Sequence, residues 1–138
     1  MNSNEFNSLV DLFFYQAEKE NPNEIFLERL NPQNKKKYSW KETSTSIQKL
    51  AKVLKDNIVE GDRCLLVSEN RPEWLISDLA IMLANGITVP AYTTYTEKDY
   101  KYLIDDCQPS VIIISCISLF SISKYYIIKN IYYVKIIF

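Results

Sequence analysis

"GDRCLLVSENRPEWLISDLAIMLANGITVPAY", residues 61–92, decides the fold. Its first apolar run, residues 63–68, is short and uninterrupted, as a strand buried on both faces of a parallel sheet must be. A helix is predicted next. Asn70 and Glu73 are placed to cap its start and Pro72 suits its first turn, while Trp74, Leu75, Ile76, Leu79, Ala80, Met82 and Leu83 make it apolar nearly all round. Such a helix needs cover on several sides. Gly86 is expected to stop it in the left-handed conformation, and residues 87–92 form the next strand.

The alternation continues outward in both directions. Thr96 and Asp99 have capping-box spacing, Tyr100, Leu103, Ile104 and Cys107 form a helical stripe, and residues 111–115 read as a third buried strand. Upstream, Ser39 and Glu42 have the same capping spacing ahead of a stripe at Ile47, Leu50, Ala51 and Leu54. Residues 24–30 and 36–40 flank the polar stretch 31–36 as a hairpin whose turn carries the solvated Lys35, Lys36 and Lys37. Leu9, Leu12, Phe13 and Ala17 place an amphipathic helix over 8–18. Strands alternating with helices imply right-handed crossovers, so the fold class is α/β, a partial doubly wound parallel sheet with flanking helices.

A chain of 138 residues with 47% apolar residues has the material for one compact core. Sixteen basic and seventeen acidic residues give a net charge of -1, which provides no steering toward nucleic acid or anionic lipid. Cys64, Cys107 and Cys116 are odd in number, lack CxxC spacing and have no histidine to join them in a zinc site, so they read as reduced, buried thiols of a cytoplasmic chain. The N-terminus lacks the basic region of a signal peptide. Residues 111–123 are uncharged but shorter than the roughly 20 residues of a spanning helix, which argues against membrane association.

The chemistry-bearing patterns are sparse. A triphosphate site draws on backbone amides, usually of a glycine-rich loop, and commonly on a lysine. The chain has two glycines. Gly61 belongs to a turn and Gly86 to a helix end, so neither forms a phosphate loop. Without histidine there is no Ser-His or Cys-His nucleophile pair, and no serine sits in a GxSxG elbow. Asp105 and Asp106 read as solvent-facing at a helix end. Glu69 lies where α/β ligand sites gather, at the C-terminal edge of a parallel strand, whereas Glu73 is taken up by helix capping. Trp74 reads as a core anchor rather than a stacking platform.

Residues 61–92 resemble the early part of the AMP-forming acyl-CoA synthetases, and "SENRPEW" (68–74) is particularly like the long-chain fatty acid members of that adenylate-forming group. "YSWKE" (38–42) resembles the start of the family's preceding helix, and "YLIDDCQPSVIIIS" (102–115) its next helix and strand. The matching positions Gly61, Asp62, Arg63, Asn70, Pro72, Glu73, Trp74, Gly86 and Pro90 are all scaffold positions. The resemblance implies the N-terminal portion of the large domain of a ligase that uses ATP, Mg²⁺ and coenzyme A to activate a fatty acid through an acyl-adenylate. The family's phosphate loop, its ribose-binding aspartate and its catalytic lysine fall downstream of the matched region. No catalytic, cofactor-binding or metal-binding residue is therefore assigned to this chain.

The resemblance implies that residues 1–138 are an incomplete segment of an AMP-binding domain, inactive alone. Residues 116–138 contain no acidic residue and read either as a divergent or out-of-frame tail or as a helix near 118–130 followed by a strand at 133–138. Two other functions stand beside the ligase reading: a stand-alone interaction module built on the same scaffold, and a small membrane-associated protein. A cut sheet also exposes a strand edge and apolar faces, from which marginal stability and self-association are expected.

Overall fold

The computed structural model describes residues 6–31, 33 and 35–115, together with the backbone of 132–134. In chain order the elements are α1 (Leu9–Lys19), β1 (Ile25–Glu28), β2 (Lys37–Ser39), α2 (Trp40–Lys55), β3 (Arg63–Val67), α3 (Pro72–Leu83), β4 (Ile87–Ala91), α4 (Glu97–Cys107), β5 (Val111–Ile114) and β6 (Tyr132–Val134). β1 and β2 form an antiparallel hairpin, and the other four strands form a parallel sheet in the order β4-β3-β5-β6. The predicted parallel sheet is therefore present. The strand expected at 133–138 is seen as β6 at 132–134, parallel to β5, and the helix expected near 118–130 lies outside the described residues.

Strand order explains where the helices lie. The chain passes from β3 to β4 in one direction, then crosses back over β3 to reach β5, and two right-handed crossovers in opposite directions must use opposite faces. Alternation along the strands matches this. Cys64, Leu66, Val111 and Ile113 belong to the larger core with α1, α2 and α3, whereas Leu65, Val67 and Ile112 pack with Tyr100 and Ile104 of α4. Ile47 and Leu54 of α2 are fully buried in the larger core, each contributing about 1.5–3 kcal/mol by the usual area relation. Both capping boxes form: the Ser39 and Thr96 side chains accept from the amides of Glu42 and Asp99, whose carboxylates accept in turn from the two cap amides.

Three local expectations are corrected. Gly86 is not the left-handed residue; Asn85 takes that conformation at φ 63°, and Gly86 is needed for space, because a Cβ there would lie 2.9 Å from Ile58 Cδ1 and 3.1 Å from Ile81 Cγ2. Neither Asn70 nor Glu73 caps α3. Its N-cap is Arg71, with no side-chain cap bond, and Pro72 stands at the first turn as expected. On α1, which runs from Leu9 to Lys19 behind its Ser8 cap, Leu9 faces solvent, and the core-facing stripe is Val10, Phe13, Phe14 and Ala17 rather than Leu9, Leu12, Phe13 and Ala17. Gly61, with φ 83° and open space around its Cα, is the position where conformation alone asks for glycine.

Candidate functional site

The C-terminal ends of β3 and β4 open into a cleft of about 530 Å³. Ser68, Glu69 and Asn70 line it from the turn after β3, Trp74 from the first turn of α3, and Pro90, Ala91, Tyr92, Thr93 and Thr94 from the end of β4 and beyond. This is the side of a doubly wound sheet on which ligands bind. Between β3 and β5, where the crossovers diverge, the Ser115 hydroxyl donates to Glu69 Oε2 at 2.6 Å, and this bond holds the Glu69 carboxyl below its ordinary pKa. Glu69 is thus where the sequence placed it, at a ligand-facing edge. Trp74 is both core and cleft: it is half-buried against the larger core and exposes its remaining face to the cleft.

Behind the turn lies a buried polar network that local sequence does not announce. The Tyr38 hydroxyl donates to Glu73 Oε1 and Arg71 Nε donates to Glu73 Oε2, each at 2.8 Å. Ser77 donates its hydroxyl to the Glu73 carbonyl, also at 2.8 Å. Glu73 is only 4% exposed, so its expected helix-capping role gives way to a buried ion pair. Burial opposes the charge on Glu73, but the bonds from Arg71, its own backbone and Tyr38 outweigh it and hold the carboxyl down at about 2. Burial, reinforced by the neighbouring Glu73 charge, pushes the Tyr38 hydroxyl well above the ordinary tyrosine range.

Asp105 and Asp106 are exposed at the end of α4, as expected. Cys64 is buried, Cys107 half-buried, and Cys116 lies outside the described residues. Tyr92, Thr93, Thr94 and Ser115 carried no signal in the sequence, because only strand pairing brings their segments to the turn after β3.

Among the described residues, the cleft wall contains one carboxylate and neither lysine nor arginine. Among the described residues no group of three or more His, Cys, Asp or Glu side chains could hold a metal ion. A nucleotide triphosphate with its divalent ion calls for cationic donors and converging amides. This wall does not fit that group, and no catalytic step follows from it. Among the described residues no helix is long and apolar enough to cross a membrane.

The parallel sheet wound on both faces, with its cleft at the strand ends, matches the N-terminal portion of the adenylate-forming ligase fold. The chain belongs to the AMP-binding enzyme family, whose pattern it matches over residues 13–131. It is 37% identical over 79 residues to the long-chain-fatty-acid–CoA ligase of Bacillus subtilis, a match that covers 56% of this chain and 14% of that protein. It is 35% identical over 81 residues to the human mitochondrial acyl-coenzyme A synthetase ACSM5, covering 57% of this chain and 14% of the relative. The crystal structure of a fatty acyl-adenylate ligase from Legionella pneumophila, in complex with acyl adenylate and pyrophosphate, superposes with a TM-score of 0.75 at 20% identity over 94% of this chain and 23% of that one. The matched region spans about one seventh of the length of these curated relatives.

Proposed function

We propose that this chain supplies the N-terminal scaffold of a cytoplasmic long-chain fatty acid–CoA ligase and is inactive by itself. The complete reaction joins a fatty acid, ATP and coenzyme A into acyl-CoA, AMP and diphosphate through an acyl-adenylate. The carrying observation is a cleft at the strand ends whose wall, among the described residues, holds a single carboxylate and no cation. Long-chain substrate preference is supported by the likeness to the long-chain-fatty-acid–CoA ligase of Bacillus subtilis. ATP, Mg²⁺ and coenzyme A are then handled by residues other than these.

The test is ATP–pyrophosphate exchange by the purified chain with palmitate and Mg²⁺. No exchange above a protein-free blank is expected; exchange that scales with protein concentration overturns the proposed inactivity. Self-association belongs to the same reading, because Ile87 of β4 and Tyr92 just beyond it are exposed. Sedimentation velocity checks it, with a monomer at every concentration as the contrary result. A cooperative two-state thermal transition in such a monomer would instead support the stand-alone interaction module.

A further inference from the structure

We propose that Tyr38 is a positioning residue for the cleft: acting through the buried Glu73 carboxylate and Arg71, it fixes the turn 68–71 that carries Ser68, Glu69 and Asn70 into the cleft wall. The cleft's purpose rests on the ligase reading above; the coupling rests on geometry. Among the described residues, 68–70 make no backbone-to-backbone hydrogen bond outside the sheet ladder, and α3 starts without a side-chain cap. Side chains therefore set the path of this turn. Two latches hold it. One is buried, with Tyr38 6% and Glu73 4% exposed, and the other is the exposed bond from Ser115 to Glu69.

The buried latch governs. An exposed hydrogen bond exchanges readily with water, whereas a buried carboxylate that loses the Tyr38 donor keeps its Arg71 pairing but is left with one oxygen unsatisfied. Glu73 can relieve that only by moving, and Arg71, bonded to its other oxygen, moves with it. Ser68, Arg71, Glu73, Ser77 and Ser115 also share the walls of a cavity of only about 10 Å³. That volume is at the lower limit for a single water, so these side chains pack against one another with little room for solvent between them. The consequence is that the N-terminal hairpin, remote in sequence, sets the shape of a ligand-facing wall.

Amide hydrogen exchange on the full chain tests this. Tyr38→Phe keeps the ring and removes only the donor. Exchange at Trp74, whose amide donates to the Arg71 carbonyl at 2.9 Å, is expected to accelerate about tenfold beyond any rise at Cys64–Leu66, the equivalent of one charged hydrogen bond. Glu73→Gln alone, which leaves Arg71 facing a neutral amide, is expected to accelerate Trp74 at least as much, and the double variant no more than Glu73→Gln alone, because Tyr38 acts through Glu73; two independent structural contacts would not produce this non-additivity. Ser115→Ala, which releases the other latch, should leave exchange at Trp74 unchanged. Uniform acceleration throughout the chain, no acceleration, or equal loosening by Ser115→Ala overturns the proposal. None of these readouts uses ATP or fatty acid, so each stands whether or not the exchange assay supports the ligase reading.

Discussion

A Cβ on Gly86 would stand 2.9 Å from Ile58 Cδ1, closer than real carbon contacts allow, and 3.3 Å from the Ile81 carbonyl oxygen. Glycine here lets the start of β4 pass beneath the loop after α2. Gly86→Ala is therefore expected to cost about 1–3 kcal/mol by overpacking. Ile58→Val removes the clashing methyl and should recover part of that loss, although it is mildly destabilising alone. Urea midpoints of the two single variants and the double variant measure the coupling. Strict additivity would show that the contact does not set the cost.

Gly61 presents the opposite case, since no atom lies within 4 Å of a Cβ placed there and the demand comes from φ 83° alone. Gly61→Ala is expected to cost about 1–2 kcal/mol, and Gly61→Asn less, because asparagine tolerates the left-handed region. Ile58→Val should not relieve Gly61→Ala. The same denaturation series reports this, and a loss at Gly61 that Ile58→Val does relieve would point to shared packing.

These two glycines show what the sequence makes legible. Both capping boxes and the α2 stripe follow from neighbours within a turn or two, and all were readable directly. The stop after α3 was readable as well, but the residue that turns the chain is Asn85, and Gly86 answers to Ile58, 28 positions upstream. Glu73 fails in the same way. Locally it looks like a helix-start carboxylate, yet its partner Tyr38 lies 35 residues earlier. Glu69 was legible because its position follows from the strand alone; Tyr92 and Thr93 join it in the cleft only through the register of β3 with β4.

Cysteine labelling should separate the thiols by environment. Burial first, then the Asp62 charge, pushes the Cys64 thiol up to about 11 from its ordinary 9.0. At pH 8 its thiolate fraction is reduced about a hundredfold, before its complete burial is counted. Cys107 is half-buried and its pKa is raised chiefly by burial. Iodoacetamide followed by peptide mapping should therefore modify Cys107 well before Cys64, with Cys64 reacting only when urea unfolds the chain. Equal native rates at the two positions would contradict the burial of β3.

The final prediction concerns acid. Glu73 has a folded pKa of about 2 against an ordinary 4.5, so between those values the folded chain binds fewer protons than the unfolded one. Its contribution, on the order of 3 kcal/mol, is complete above about pH 5 and is lost as pH falls toward 2. Glu42, Glu69 and Asp99 also have lowered pKa values, so the whole chain weakens in acid for several reasons. Comparison with Glu73→Gln isolates the one group. At pH 7 the variant should be the less stable of the two, because Arg71 then faces a neutral amide. Toward pH 3 the gap should narrow, because Glu73 of the unfolded chain takes up its proton below about 4.5 while the folded carboxyl, at about 2, stays ionised. Urea midpoints at the two pH values measure it. A gap that stays constant would mean that the Arg71 pairing does not lower the Glu73 pKa, and the stability of the α3 start would then have to come from packing around Ile76 and Ala80 rather than from charge.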